Sequence, residues 1–118
     1  MSTGISELIL TTGISEVIVT ADDPEWLAGF TRTLIEERLC ACAQHLVPIR
    51  SIYRWRGDIE DTTEVRVALH TRNEFVAELI QRIEQDHPYE VPCVLAVSID
   101  NASPAYVDWV RSETVPEA

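Results

Sequence analysis

The side chains best suited to chemistry in this chain lie in His87-Pro88-Tyr89-Glu90-Val91-Pro92, which gathers an imidazole, a phenol and a carboxylate within four positions. An imidazole and a carboxylate within hydrogen-bond reach can pass a proton, with a phenol as an auxiliary donor. Pro88 and Pro92 fix φ at both ends and bias His87 and Val91 to extended geometry, so the turn is stiff and cannot prolong a helix. The plainer reading is structural: Pro88 stops a helix and the Tyr89 ring covers the core. A second candidate is Cys40-Ala41-Cys42. Two apart on a strand, both thiols would face one side, and thiolates with imidazoles suit Cu(I) or Zn. Cys93, His45 or His87 would have to complete such a site, because the sequence has no C-x-x-C and no His pair at i, i+4. Cysteine as a small buried apolar residue is the alternative.

The elements that must hold these groups follow from periodicity. Glu16 to Thr20 reads as a first strand. Asp23 caps a helix with Pro24 at its first position, and Leu27, Phe30, Leu34 and Ile35 fall at helical spacing up to about Arg38. From Cys40 to Thr71 apolar and polar residues alternate on either side of an Arg56-Gly57-Asp58 turn, which predicts a long hairpin with a bend or bulge near Pro48. Thr71-x-x-Glu74 reads as a capping box for a second helix carrying Val76, Leu79, Ile80 and Ile83. Val91 to Ile99 reads as a strand buried on both faces, and Ser103-Pro104 as the cap of a short last helix with Tyr106, Trp109 and Val110. The order predicts an α+β, ferredoxin-like fold: an antiparallel sheet with helices on one face, plus a short C-terminal helix. Hairpin strands of about 15 residues span roughly 50 Å, whereas a helix of about 14 residues covers only about 21 Å. The hairpin overhangs the helix layer, and its end, with Tyr53, Trp55 and Ile59, calls for pairing with another subunit.

Composition sets the outer limits. A chain of 118 residues is one domain, read here as an N-terminal extension (1–13), the domain itself (14–114) and a tail (115–118). Thr3-Gly4-Ile5-Ser6-Glu7 recurs as Thr12-Gly13-Ile14-Ser15-Glu16, and the second copy is read as opening the domain. A net charge of -11, with arginine as the sole basic type besides histidine and no lysine, argues against nucleic acid or an anionic membrane as partner. Three cysteines, an odd number, with no basic leader segment and no span long enough for a bilayer, predict free thiols and a cytoplasmic location.

Glu37-Arg38-Leu39-Cys40-Ala41-Cys42, Ser51-Ile52-Tyr53-Arg54-Trp55-Arg56-Gly57, His87-Pro88-Tyr89-Glu90-Val91-Pro92 and Tyr106-x-x-Trp109 occur in that order. Together they resemble the signature blocks of the CutA divalent-cation-tolerance family, in order from about Val17 to Thr114, nearly the whole chain. The resemblance implies a ferredoxin-like subunit in an interlocked homotrimer whose long hairpins pair across subunits. It also implies a part in tolerance of copper and other divalent metals, an architecture similar to PII signalling proteins, and a ligand site in an inter-subunit cleft. No obligatory cofactor follows; copper or another divalent metal is the candidate ion. Carried over by motif, the candidate ligand-binding residues are Tyr53, Trp55, His87, Tyr89, Glu90 and Trp109, with Cys42 and His87 toward a metal. Gln44, Asp58 and His70 depart from the pattern, standing where the family more often has asparagine, lysine and lysine. An unperturbed histidine at position 70 would carry full charge only below about pH 6.5.

Three function classes stay open on these grounds: a trimeric binding or regulatory protein, a small enzyme using His87 and Glu90 as an acid–base pair with Tyr89 as donor, and a structural adaptor. The first is the principal expectation, without catalysis.

Overall fold

The computed structural model of the protein describes residues 12–115. The elements are β1 (Ile14–Ala21), α1 (Pro24–Glu36), β2 (Cys42–Trp55), β3 (Asp58–Arg72), a 3-10 turn at Asn73–Phe75, α2 (Val76–Asp86), β4 (Val94–Ser98) and α3 (Pro104–Glu113). The sheet runs β2-β3-β1-β4 with every neighbouring pair antiparallel, the ferredoxin-like order. Val17, Val19 and Ala21 of β1 and Val65, Val67 and Leu69 of β3 take alternate positions and meet Leu27 and Leu34 of α1 and Leu79 and Ile83 of α2 in the main core. Ile14, of the other parity, packs with Ala41 and Val110 instead. By strand alternation α3 therefore covers part of the sheet face that α1 and α2 leave bare.

Local chemistry explains the boundaries. The Asp23 carboxylate accepts the backbone N–H groups of Glu25 and Trp26 at 3.0 and 3.3 Å, and Pro24 opens α1. The same helix ends in a Schellman motif: Arg38 takes a left-handed φ of 62°, its N–H donates to the Ile35 carbonyl, and the Leu39 N–H donates to the Leu34 carbonyl. Leu34 and Leu39 both enter the core, so the turn that stops the helix also feeds β2 into the sheet. Arg56 and Gly57, with φ of 50° and 90°, form the two-residue hairpin turn between the paired residues Trp55 and Asp58. The register shift between Leu46 and Ile49 sits at Pro48, which has no N–H to give to the ladder.

The first Thr-Gly-Ile-Ser-Glu copy lies outside the described residues. Within the second, β1 begins at Ile14, two residues before the strand start expected at Glu16. The Thr12 hydroxyl donates to the Ile99 carbonyl (2.6 Å), the Gly13 carbonyl receives Asn73 N–H and Arg111 Nη1, and the Ser15 hydroxyl meets Asn73 Oδ1 at 2.5 Å.

Four expectations need correction. Thr71 is no helix cap: it is a fully buried residue of β3 whose hydroxyl donates to the Leu39 carbonyl at 2.7 Å, and the 3-10 turn intervenes before α2. The Ser103 side chain makes no cap hydrogen bond, so Pro104 alone marks the start of α3. Cys40 and Cys42 do not share a strand face, because β2 begins only at Cys42 and Cys40 packs into the main core. The strand expected over Val91 to Ile99 is only Val94–Ser98, and its apolar residues are not covered twice: Leu95 is 47% and Val97 51% exposed. Pro92 deprives the preceding stretch of a ladder donor, and β4 is an edge strand bonded only to β1.

Candidate functional site

The candidate residues separate into two clusters that flank the sheet near different ends of β1. Around the turn after α2, His87 is nearly enclosed, with Trp26 and Tyr89 rings edge-on at 5.2 and 4.7 Å. Its Nδ1 accepts the Tyr89 backbone N–H at 3.0 Å, and its Nε2 donates to the Thr20 carbonyl at 2.8 Å. Both ring nitrogens are thus committed to backbone. The Tyr89 hydroxyl donates to the buried Glu64 carboxylate at 2.8 Å, and burial first, then this carboxylate, push its phenol above the ordinary range. Glu90 forms an exposed ion pair with Arg56 at 2.5 Å. His87 and Glu90 therefore have separate partners and do not form the acid–base pair. On the hairpin, Tyr53 and Trp55 are partly exposed, and the Arg56 guanidinium lies over the Trp55 ring at 5.1 Å.

The second cluster was not assembled from sequence. Cys42, His70 and Glu16 are directly opposite one another on β2, β3 and β1, so the register alone puts their side chains in a row on one face. The Cys42 Sγ lies 3.4 Å from His70 Nδ1, and His70 Nε2 lies 2.8 Å from Glu16 Oε2. Tyr106 of α3 closes the group, with its hydroxyl 3.2 Å from Sγ and 2.5 Å from Nδ1. Trp109 stacks on Tyr106 with ring centroids 5.7 Å apart. Hydrogen bonding to Cys42 raises the His70 pKa to about 9, with Glu16 adding to the effect against the cost of burial. At Cys42 burial acts upward, but the hydrogen bonds to His70 and Tyr106 and the imidazolium charge outweigh it, and the net shift is down. Burial and the neighbouring sulfur push the Tyr106 phenol up, so it stays a donor. Cys40, by contrast, is pushed up to about 12 by burial and by Cys42 and is inert.

Cys42 and Trp109 thus come together through Tyr106, while Cys42 and His87 belong to different clusters. Among the described residues no group of three His, Cys, Asp or Glu side chains is arranged to hold a metal ion. His45 hydrogen-bonds Thr31 on α1 at 3.1 Å, and Cys93 is exposed elsewhere.

A family model described as CutA1 divalent ion tolerance protein matches residues 15–113. The chain belongs to this CutA1 family. The divalent-cation tolerance protein CutA of Pyrococcus horikoshii is 39% identical over 93 residues, 77% of this chain and 90% of that protein. The CutA of Thermus thermophilus is 33% identical over 95 residues, 80% of this chain and 92% of that protein. The crystal structure of CutA from Xylella fastidiosa superposes with a TM-score of 0.84 at 32% identity, covering 87% of this chain and 99% of that one. The CutA1 blocks are thus dispersed by the fold over both clusters and the hairpin.

Proposed function

We propose that the chain works as a homotrimeric, non-catalytic CutA-type protein of divalent-cation tolerance, taking a metal ion or small ligand in a cleft between subunits in a PII-like regulatory role. The observation that carries this reading is the apolar surface a single protomer leaves bare. Leu46, Ile52 and Ile59 on the hairpin are 60%, 62% and 62% exposed, and Leu95 and Val97 line the open edge at β4. Long apolar edge strands of this kind are normally paired or covered. Pairing hairpins across subunits would bury them, while within the chain Arg56 of the hairpin turn already meets Glu90 of the 87–92 turn. Donors within one protomer do not make a metal site among the described residues, so an ion here requires donors from a second subunit. The relatives named for cation tolerance support the physiological role. Free thiols at Cys40, Cys42 and Cys93 support a cytoplasmic setting.

Native mass spectrometry of the reduced protein, first metal-free and then titrated with copper and zinc, tests this directly. The expected spectrum is a trimer that takes up about one ion per subunit at micromolar metal. A monomer would remove the cleft and the reading with it. A trimer that ignores both metals would restrict the ligand to small molecules.

A further inference from the structure

The cluster on β1, β2, β3 and α3 has the parts of an activated nucleophile. A thiol becomes nucleophilic as the thiolate, which forms when a base is within hydrogen-bond reach and a third group orients that base. Here the base is His70, facing Cys42 Sγ through Nδ1 at 3.4 Å, and the orienting group is Glu16, 2.8 Å from Nε2. Three antiparallel strands fix the row, and Tyr106 places a hydroxyl donor 3.2 Å from the sulfur. Cys42 is half-buried, so a molecule of a few atoms is the right size to reach it. The net charge of -11 disfavours anionic reagents.

We propose that Cys42 is a reactive thiolate, held by His70 and positioned by Glu16, whose reagents are small uncharged electrophiles of the hydroperoxide class. The Cys42 sulfur attacks one peroxide oxygen, an S–O bond forms and the O–O bond breaks. Sulfur gives two electrons to the peroxide and ends as a sulfenic acid. The departing oxygen takes the proton from the His70 imidazolium, directly or through the Tyr106 hydroxyl, and leaves as water or an alcohol. Each subunit reacts once; Cys40 lies in the main core and cannot resolve the product as a neighbouring thiol would. Because the family resemblance also turns Cys42 toward a metal, this modification is the chemistry of the metal-free protein.

The test uses the full chain, chelator-treated and reduced, with exposed Cys93 as the reference thiol in the same molecule. Limiting iodoacetamide at neutral pH, followed by peptide mass spectrometry, should label Cys42 about ten-fold faster than Cys93. One equivalent of hydrogen peroxide followed by dimedone should place the sulfenic-acid adduct on Cys42. His70→Gln should abolish both preferences and the thiolate ultraviolet absorbance. Glu16→Gln, the milder change, should lower the Cys42 rate several-fold while leaving that of Cys93 unchanged. If Cys93 outpaces Cys42 in the unaltered protein, or if Glu16→Gln and His70→Gln leave the Cys42 rate and absorbance as they were, the proposal is overturned.

Discussion

His70 and His87 are both nearly enclosed, and each has a tyrosine ring set edge-on against it, at 5.6 Å for Tyr106 and 4.7 Å for Tyr89. Their partners differ in kind. His87 spans a backbone N–H and a backbone carbonyl, groups that hold a fixed charge state, and so ties the turn after α2 to the end of β1. His70 lies between a thiol and a carboxylate, groups that can gain or lose a proton, and so shares one with them. A histidine held by backbone acts as a brace, and one held by ionisable side chains acts as a proton partner. Residue type and burial are the same in both places; the hydrogen-bond partners decide the role.

The sharpest way to break this comparison is to remove the brace. His87→Ala leaves the Thr20 carbonyl and the Tyr89 N–H without partners in a nearly closed site, and the expected loss is on the order of 3 kcal/mol. Urea unfolding should be followed at one fixed protein concentration, because association would otherwise shift the midpoint. A variant as stable as the parent that no longer takes up a ligand would make His87 a ligand residue and reverse its assignment.

A smaller effect tests the proton partner. The His70 imidazole should titrate near pH 9 by NMR, and Cys42→Ala, which removes the largest cause of the upward shift, should bring the midpoint down toward the ordinary imidazole range. The stability consequence has a definite sign. The raised pKa of His70 gives a contribution fully present below about pH 6.5 and lost as pH rises through about 9. The lowered pKa of Cys42 gives the opposite: a contribution present above the unfolded thiol's pKa, lost as pH falls through its folded value. The two act in opposite senses wherever their pH windows overlap. Stability of the parent should therefore vary less between pH 6.5 and 8.5 than either shift alone implies. A His70 midpoint unmoved by Cys42→Ala would dissolve the distinction between the two histidines.

The same contrast explains what could be read in the sequence. What was legible is local: Asp23-Pro24, Arg56-Gly57 and the apolar spacing of α2 each act over a few residues, whereas the caps read at Thr71 and Ser103 failed. The brace is local only in its His87–Tyr89 half, two residues apart; its bond to the Thr20 carbonyl crosses from the turn to β1. The proton-sharing row is not. Glu16, His70 and Cys42 meet only through the register of three strands, and Tyr106 arrives from α3, so their spacing in sequence carries no trace of the contact. His70 stood out merely as a departure from the family's usual lysine, and Glu16 merely as the first residue of an expected strand. The exposure of β4 was missed for a related reason: Val94 to Ser98 is apolar enough for a central strand, but its place at the sheet edge is a property of the topology.

The smallest expected effect concerns the exposed end of the His87 turn. Arg56 and Glu90 pair across the surface with side chains 67% and 66% exposed, so solvent screens the bond and Arg56→Gln should change unfolding stability by less than about 0.5 kcal/mol. The substitution leaves the Glu90 carboxylate unpaired without touching His87 or Tyr89. If the turn is purely a brace, copper and zinc titrations of the protein should be unaltered. If Glu90 is a ligand group, loss of the competing guanidinium should tighten cation uptake several-fold at unchanged stability. That second outcome would divide the motif itself, with His87 and Tyr89 anchoring the turn and Glu90 meeting the ligand.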